Sequence, residues 1–345
     1  MIFALSLPWR PPPGKMNNNG ALDSVSRLRA ASRYIRLARA LRVEQRFSLI
    51  CLVLVAFAAC EPPAITTTGV VGIFGELGLA PGAFSYPRAI TAAADGSVFV
   101  VDKNGRVQRF SADGEFEIFW RMPDTAQGKP VGLTVHPDGR VFVADTHYHR
   151  VSIFNRDGKP LGTFGREGTG DGELLLPTDV AIDARGFIYV SEYMGNDRIT
   201  KWSPQLQFIA VLGDQPIDGK PLSRPAGIDI DDEQTLWIAD ACNHRIVRLS
   251  LEGEVLTTFG RFGDGPGEMR YPYDISISPE GMVLVCEYEG NRLQWFSKEG
   301  RSLRTWGCGG RDPGELSAPW GVTYGPNGKV YVVDSLNQRV QIIKP

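Results

Sequence analysis

A chain of 345 residues with 43% hydrophobic and 22% charged side chains can bury a substantial core, which excludes a disordered chain and a multi-span membrane protein. The formal net charge of −2 hides an asymmetry: residues 1–59 hold nine Lys/Arg and two Asp/Glu, leaving 28 basic and 37 acidic side chains in residues 60–345. A body that acidic repels a phosphate backbone, so nucleic acid is not an expected partner.

In chain order, the first element is a leader. Arg42 and Arg46 precede the apolar run Phe47 to Ala59, which ends in small residues before Cys60, the layout of an export signal. The run is too short for a bilayer core of roughly 30 Å, which needs about twenty helical residues, so a spanning anchor is the weaker alternative. Phe57-Ala58-Ala59-Cys60 resembles a bacterial lipobox, with Phe57 where that family prefers Leu. The resemblance implies that Cys60 is the lipidated first residue of the mature protein, with the Pro- and Thr-rich stretch 60–68 as a tether. An ordinary signal-peptide remnant is the alternative for Cys60. Signal peptides usually run about 15–30 residues, so residues 1–41 read as upstream of a true start near Leu41 or Val43. The rival reading takes Ser24 to Arg46 as an organelle transit sequence. The lipobox reading predicts an extracytoplasmic, membrane-anchored protein.

From about residue 69 the chain repeats. Pro87, Pro130, Pro177, Pro225, Pro272 and Pro319 are spaced by 43, 47, 48, 47 and 47 residues. The acids Asp102, Asp145, Glu192, Asp240, Glu287 and Asp334 keep the same intervals, and Arg106, Arg150, Arg198, Arg245, Arg292 and Arg339 follow in step. Each unit reads as four short strands. In the fifth they are expected at Asp274 to Ser278, Met282 to Glu287, Arg292 to Phe296 and Ser302 to Trp306, separated by Gly-containing turns. Four strands in a unit of this length make a propeller blade, so the fold class is all-β, a six-bladed β-propeller.

The segment Asp240-Ala241-Cys242-Asn243-His244-Arg245-Ile246 carries an Asn-His-Arg core that resembles the NHL repeat, and Asp334 to Val340 is similar. The resemblance covers 69–345 and implies the fold, not one function, because that family includes enzymes, scaffolds and sensors. Blade six lacks a last strand. Val70 to Gly75 matches the fourth-strand segment Leu256 to Gly260, so the N-terminal segment is expected to complete blade six and close the ring.

The Gly-rich segments 165–172, 260–267 and 307–314 lack the Gly-Lys-Ser/Thr ending of a nucleotide loop and fall at one place in the repeat, as inter-blade turns do. The recurring acid-to-Arg pair reads as a structural link. Four histidines, His136, His147, His149 and His244, limit metal chemistry. His149 is similar in position to a ligand of the zinc-dependent peptidyl-hydroxyglycine lyase propeller, but the channel positions where that family places His hold Thr178, Ala226, Tyr273 and Trp320. Cys242, Cys286 and Cys308 form an odd set in the mature domain, with a Cys242–Cys286 disulfide as one arrangement.

Departures from the repeat point to function. Blades three and five share Glu192-Tyr193-Met194-Gly195-Asn196 and Glu287-Tyr288-Glu289-Gly290-Asn291, each preceded by an Asp two residues after the repeat Pro, where the other blades hold Gly or Ala. The expected ligand or partner site is a top face with Arg88, Tyr193, Tyr288 and Trp320. Asp179, Glu192, Asp274 and Glu287 are the candidate ligands for a cation or cationic group, Ca²⁺ among them. If Asp183 pairs with Ile188, Asp179 lies opposite Glu192, and Asp274 opposite Glu287. The leading expectation is a non-catalytic binding propeller taking a protein or a small molecule. The alternative is a Ca²⁺-dependent hydrolase or metal-dependent lyase with its site in the channel, although no nucleophile–base pair is readable.

Overall fold

The five-residue runs that end in the repeat acid, such as Val98–Asp102 and Val283–Glu287, are buried along their whole length, as the second strands of sheets that are covered on both faces. In the computed structural model, which describes residues 65–326 and 328–345, six antiparallel four-stranded sheets stand around a central channel. The expected leader, Cys60 and the first residues of the tether lie outside the described residues. Blade five is typical: Pro272–Ile277, Val283–Glu287, Arg292–Phe296 and Ser302–Trp306, each within two residues of its expected ends. Six apolar clusters fill the six gaps between neighbouring blades, and the fourth strands are mostly exposed or half-buried.

Val70–Phe74 closes the ring as expected. It is the outer strand of blade six, with Val70 opposite Ile343 and Phe74 opposite Val340, and it covers an edge that would otherwise be open. Ile65–Thr66 adds a short parallel strand outside Ser302–Trp306 of blade five, with Ile65 opposite Thr305. The last residues of the expected tether are therefore docked.

Two repeated devices explain the sequence series. The first is an arginine clamp. All six acid–Arg pairs form, with N–O distances such as 2.6 Å for Asp102–Arg106 and 2.7 Å for Asp240–Arg245, and the acids are buried. The guanidinium also donates into the preceding inter-blade loop: Arg198 reaches the carbonyls of Thr169, Gly170 and Glu173, and Arg292 those of Asp264 and Glu268. The Gly-rich segments are those inter-blade loops, and several of their carbonyls are satisfied by arginine.

The second device is an inter-blade staple. The residue before the repeat Arg accepts a backbone N–H from the residue before the next blade's Pro: Leu176 donates to His149 Nδ1 at 3.1 Å, Tyr271 to His244 Nδ1 at 3.2 Å and Ala318 to Asn291 Oδ1 at 2.7 Å. The donors Leu176, Arg224, Tyr271 and Ala318 sit at φ of 48°, 57°, 50° and 48°, a left-handed conformation held in place by that bond. His149 is thus a staple residue at the place where the lyase resemblance put a ligand.

Candidate functional site

One channel end breaks the repeat. The position after each Pro carries Arg88, Val131, Thr178, Ala226, Tyr273 and Trp320, large on blades five, six and one and small on the others. Tyr273 and Tyr288 stack at 4.5 Å with an 18° interplanar angle, Trp320 stands edge-on to both at 5.0 and 5.4 Å, and Tyr86 meets Trp320 at 5.8 Å. Arg88 lies 5.2 Å from the Trp320 ring centre. Arg224 lies 4.8 Å from Tyr273 and 5.3 Å from Tyr193. The four expected residues Arg88, Tyr193, Tyr288 and Trp320 fall in this cluster. Tyr86, Arg224 and Tyr273 belong to it as well. Arg224 was hidden because it precedes the repeat Pro, at a position held by the inter-blade staple.

The two arginines differ from those of the repeat. Among the described residues neither Arg88 nor Arg224 has a carboxylate within ion-pair distance, and Arg88 Nε is buried without a hydrogen-bond partner. Burial lowers the Arg88 guanidinium below its usual range, and repulsion from Arg224 adds to the fall. The aromatic faces are their main support.

Below the mouth is a cavity of about 140 Å³ whose lining includes Arg88, Arg224, Asp179, Asp229 and Asp274. The expected register of blades three and five is corrected here. Ile182, not Asp183, pairs with Ile188, which places Asp179 opposite Ser191, and in blade five Asp274 lies opposite Cys286; a bulge after the Pro then sets Glu192 and Glu287 opposite Pro177 and Pro272. That shift sends the two Asp side chains to the channel and the two Glu side chains to the clamps of Arg198 and Arg292. The four acids are therefore not one quartet. Asp229, four residues after Pro225 where other blades hold Thr, Ala or Ser, is the third channel acid, and only that odd residue in the repeat marks it in the sequence.

The three aspartates also join blades. The Ile228 N–H donates to Asp179 at 2.9 Å, Ile277 to Asp229 at 2.7 Å and Val322 to Asp274 at 2.8 Å, in each case from the next blade. Burial pushes Asp179 and Asp229 up to about 7, and burial together with the Asp179 charge pushes Asp274 well above the usual carboxylate range. The glycines at the Asp position of alternate blades make room for these side chains. A Cβ on Gly132 would lie 2.6 Å from Asp179 Oδ1, and one on Gly227 would lie 2.3 Å from Asp274 Oδ1.

The channel acids are not grouped as the ligands of a Ca²⁺ ion would be. Asp229 and Asp274 each accept a second backbone N–H, from Ile230 at 2.8 Å and Ile275 at 2.9 Å, and among the described residues no three His, Cys, Asp or Glu side chains are grouped to hold a metal. Cys242, Cys286 and Cys308 are free thiols, with Cys286 buried and Cys242 exposed, so the Cys242–Cys286 disulfide is absent.

Sequence comparison matches the family described as SMP-30/Gluconolactonase/LRE-like region to residues 88–316 and an NHL repeat to residues 316–343. The chain is similar to NHL repeat-containing protein 3 of Mus musculus, 29% identical over 198 residues, 52% of this chain and 57% of that protein. It is also similar to the peptidylglycine alpha-amidating monooxygenase of Rattus norvegicus, 30% identical over 130 residues, 34% of this chain and 13% of that protein. The leading curated relatives are matched over 12% to 57% of their own lengths. Among solved structures, a gluconolactonase from Xanthomonas campestris superposes with a TM-score of 0.60 at 16% identity, covering 83% of this chain and 96% of that one, a likeness of fold.

Proposed function

We propose that this chain, which belongs to the SMP-30/gluconolactonase/LRE-like family and carries an NHL repeat, is a binding propeller that takes a small ligand at the channel mouth formed by Arg88, Arg224, Tyr193, Tyr288 and Trp320. The observation that carries this reading is the pair of arginines left without acids over a cavity, in a molecule whose six repeat arginines are all paired. An aromatic wall with a few convergent polar groups is the usual make-up of a small-molecule site. A thermal-shift screen of the full-length chain against anions, sugars and peptides tests it. The expected hits raise the melting temperature of the parent but not of Arg88→Ala or Trp320→Ala, and hits indifferent to both substitutions contradict the reading.

Display outside the cytoplasm through a lipid on Cys60 is part of this proposal and rests on the leader and lipobox-like tetrapeptide. Mass spectrometry of the mature N-terminus checks it: a diacylated Cys60 supports the anchor, and an unmodified N-terminus at another residue removes it.

A second reading is favoured by one observation. Asp179 and Asp229, pushed up to about 7, line the cavity and could exchange a proton with a ligand, as a lactone hydrolase or lyase requires. Turnover of gluconolactone by the full-length chain, lost in Asp179→Asn, would favour it. No turnover leaves the binding reading in place.

A further inference from the structure

The cavity holds cationic and carboxyl groups that do not pair with each other. Among the described residues Arg88 and Arg224 have no acid, and Asp179, Asp229 and Asp274 no Lys, Arg or His, within ion-pair distance. An uncompensated charge away from bulk water is costly, so burial lowers Arg88 and raises the acids, and the two sets are kept apart rather than paired. They are also ordered along the strands. Arg88, Tyr273 and Trp320 stand one residue after the Pro and Tyr86 and Arg224 just before it, Tyr193 and Tyr288 follow the repeat acid, Asp179 and Asp274 stand two after the Pro, and Asp229 four after. With a rise of about 3.3 Å per residue, the acids begin one short step below the arginines.

Resting on the reading of the mouth as a binding site, we propose that its ligand is a small zwitterion of the amino-acid class, with its carboxylate at Arg88 and Arg224 and its ammonium at Asp179 and Asp274. Guanidinium forks match a carboxylate, and Arg88 Nε is a buried donor that lacks an acceptor. A carboxylate has about four lone-pair sites, so Asp274, which uses two on backbone N–H groups, keeps acceptor capacity for an ammonium. The backbone bonds fix its orientation, and an ammonium between Asp179 and Asp274 relieves their mutual repulsion. Asp229, deeper by two residues, is placed for a second ammonium at the end of a side chain. A cavity of about 140 Å³ suits a single small molecule, with its apolar part against Tyr273 and Trp320.

Calorimetry on the purified full-length chain tests this with four probes of one skeleton: L-lysine, L-norleucine, hexanoate and 1-pentylamine. Norleucine is expected to bind at least tenfold tighter than hexanoate or pentylamine, and lysine tighter still. Asp274→Asn, or Asp179→Asn where the first variant does not fold, is expected to bring norleucine down to the affinity of hexanoate. Hexanoate binding as tightly as norleucine, unchanged in Asp274→Asn but lost in Arg88→Met, overturns the zwitterion and leaves the mouth standing as an anion site. Failure of both norleucine and lysine to bind overturns the proposal outright. The comparison among probes on the parent chain needs no variant to fold.

Discussion

The repeat arginines and the mouth arginines show what the same side chain does in two settings. Arg245 bonds buried Asp240 at 2.7 Å and the carbonyls of Ile217 and Lys220, so its charge is matched and its donors are spent on the loop that joins two blades. Arg88 and Arg224 meet aromatic faces and a cavity. A charge fixed by acid and carbonyls holds the ring together, whereas a charge held only by rings stays available to a ligand. The position in the repeat separates the two kinds: one recurs six times and the other does not recur.

The largest expected effect sharpens the first half of that contrast. Arg245→Ala leaves buried Asp240 without its cation and strips the loop carbonyls, and is expected to destabilise the propeller by about 3–5 kcal/mol in denaturant unfolding. A loss under about 1 kcal/mol would mean that the clamp is redundant. Next is Gly227→Ala. Its Cβ would lie 2.3 Å from Asp274 Oδ1 and 2.7 Å from Asp274 Cα, so the inner strands of blades four and five must part, at a cost of about 1–3 kcal/mol by the same measurement. Full tolerance would show that the two strands are not so closely apposed.

A smaller effect concerns pH. Asp179 and Asp229 are raised to about 7 in the folded protein from about 3.9 when unfolded, so in the window between those values the native state binds more protons than the unfolded one. Their contribution is fully present below about pH 4 and is lost as pH rises through 7. Clamp acids such as Glu192 and Asp240, raised by burial, move the same way. The parent is expected to melt lower at pH 8 than at pH 5.5, with a shallower dependence in Asp179→Asn. An equal slope in parent and variant would show that the channel acid is not the source.

Ring, blade count and closing strand were legible because each rests on a feature repeated six times or on a missing one. The strands of blade five needed only local alternation. The site was less legible because it depends on one-residue registers. The turn between the first two strands of blade three does not mark in the sequence that Ile182 rather than Asp183 faces Ile188, and that one-residue slip reverses which acid faces the channel. Arg224 and Tyr86 were hidden in loops whose left-handed backbone has no marker in the residue type. Asp229 required attention to a lone substitution in one blade. Gly132, Gly227 and Gly321 stand where blades three and five hold Asp, but that Gly132 and Gly227 make room for an Asp on the neighbouring blade is a three-dimensional fact.

The most direct test of the division between clamp and mouth is the unfolding free energy of the double variant Arg88→Ala, Arg224→Ala beside Arg245→Ala. Each mouth arginine loses only its aromatic contacts, worth roughly 0.5–1 kcal/mol, and removing one relieves its repulsion with the other, so the double variant is expected to stay within about 1 kcal/mol of the parent. A loss as large as that of Arg245→Ala would show that the mouth arginines are structural, and would contradict the account.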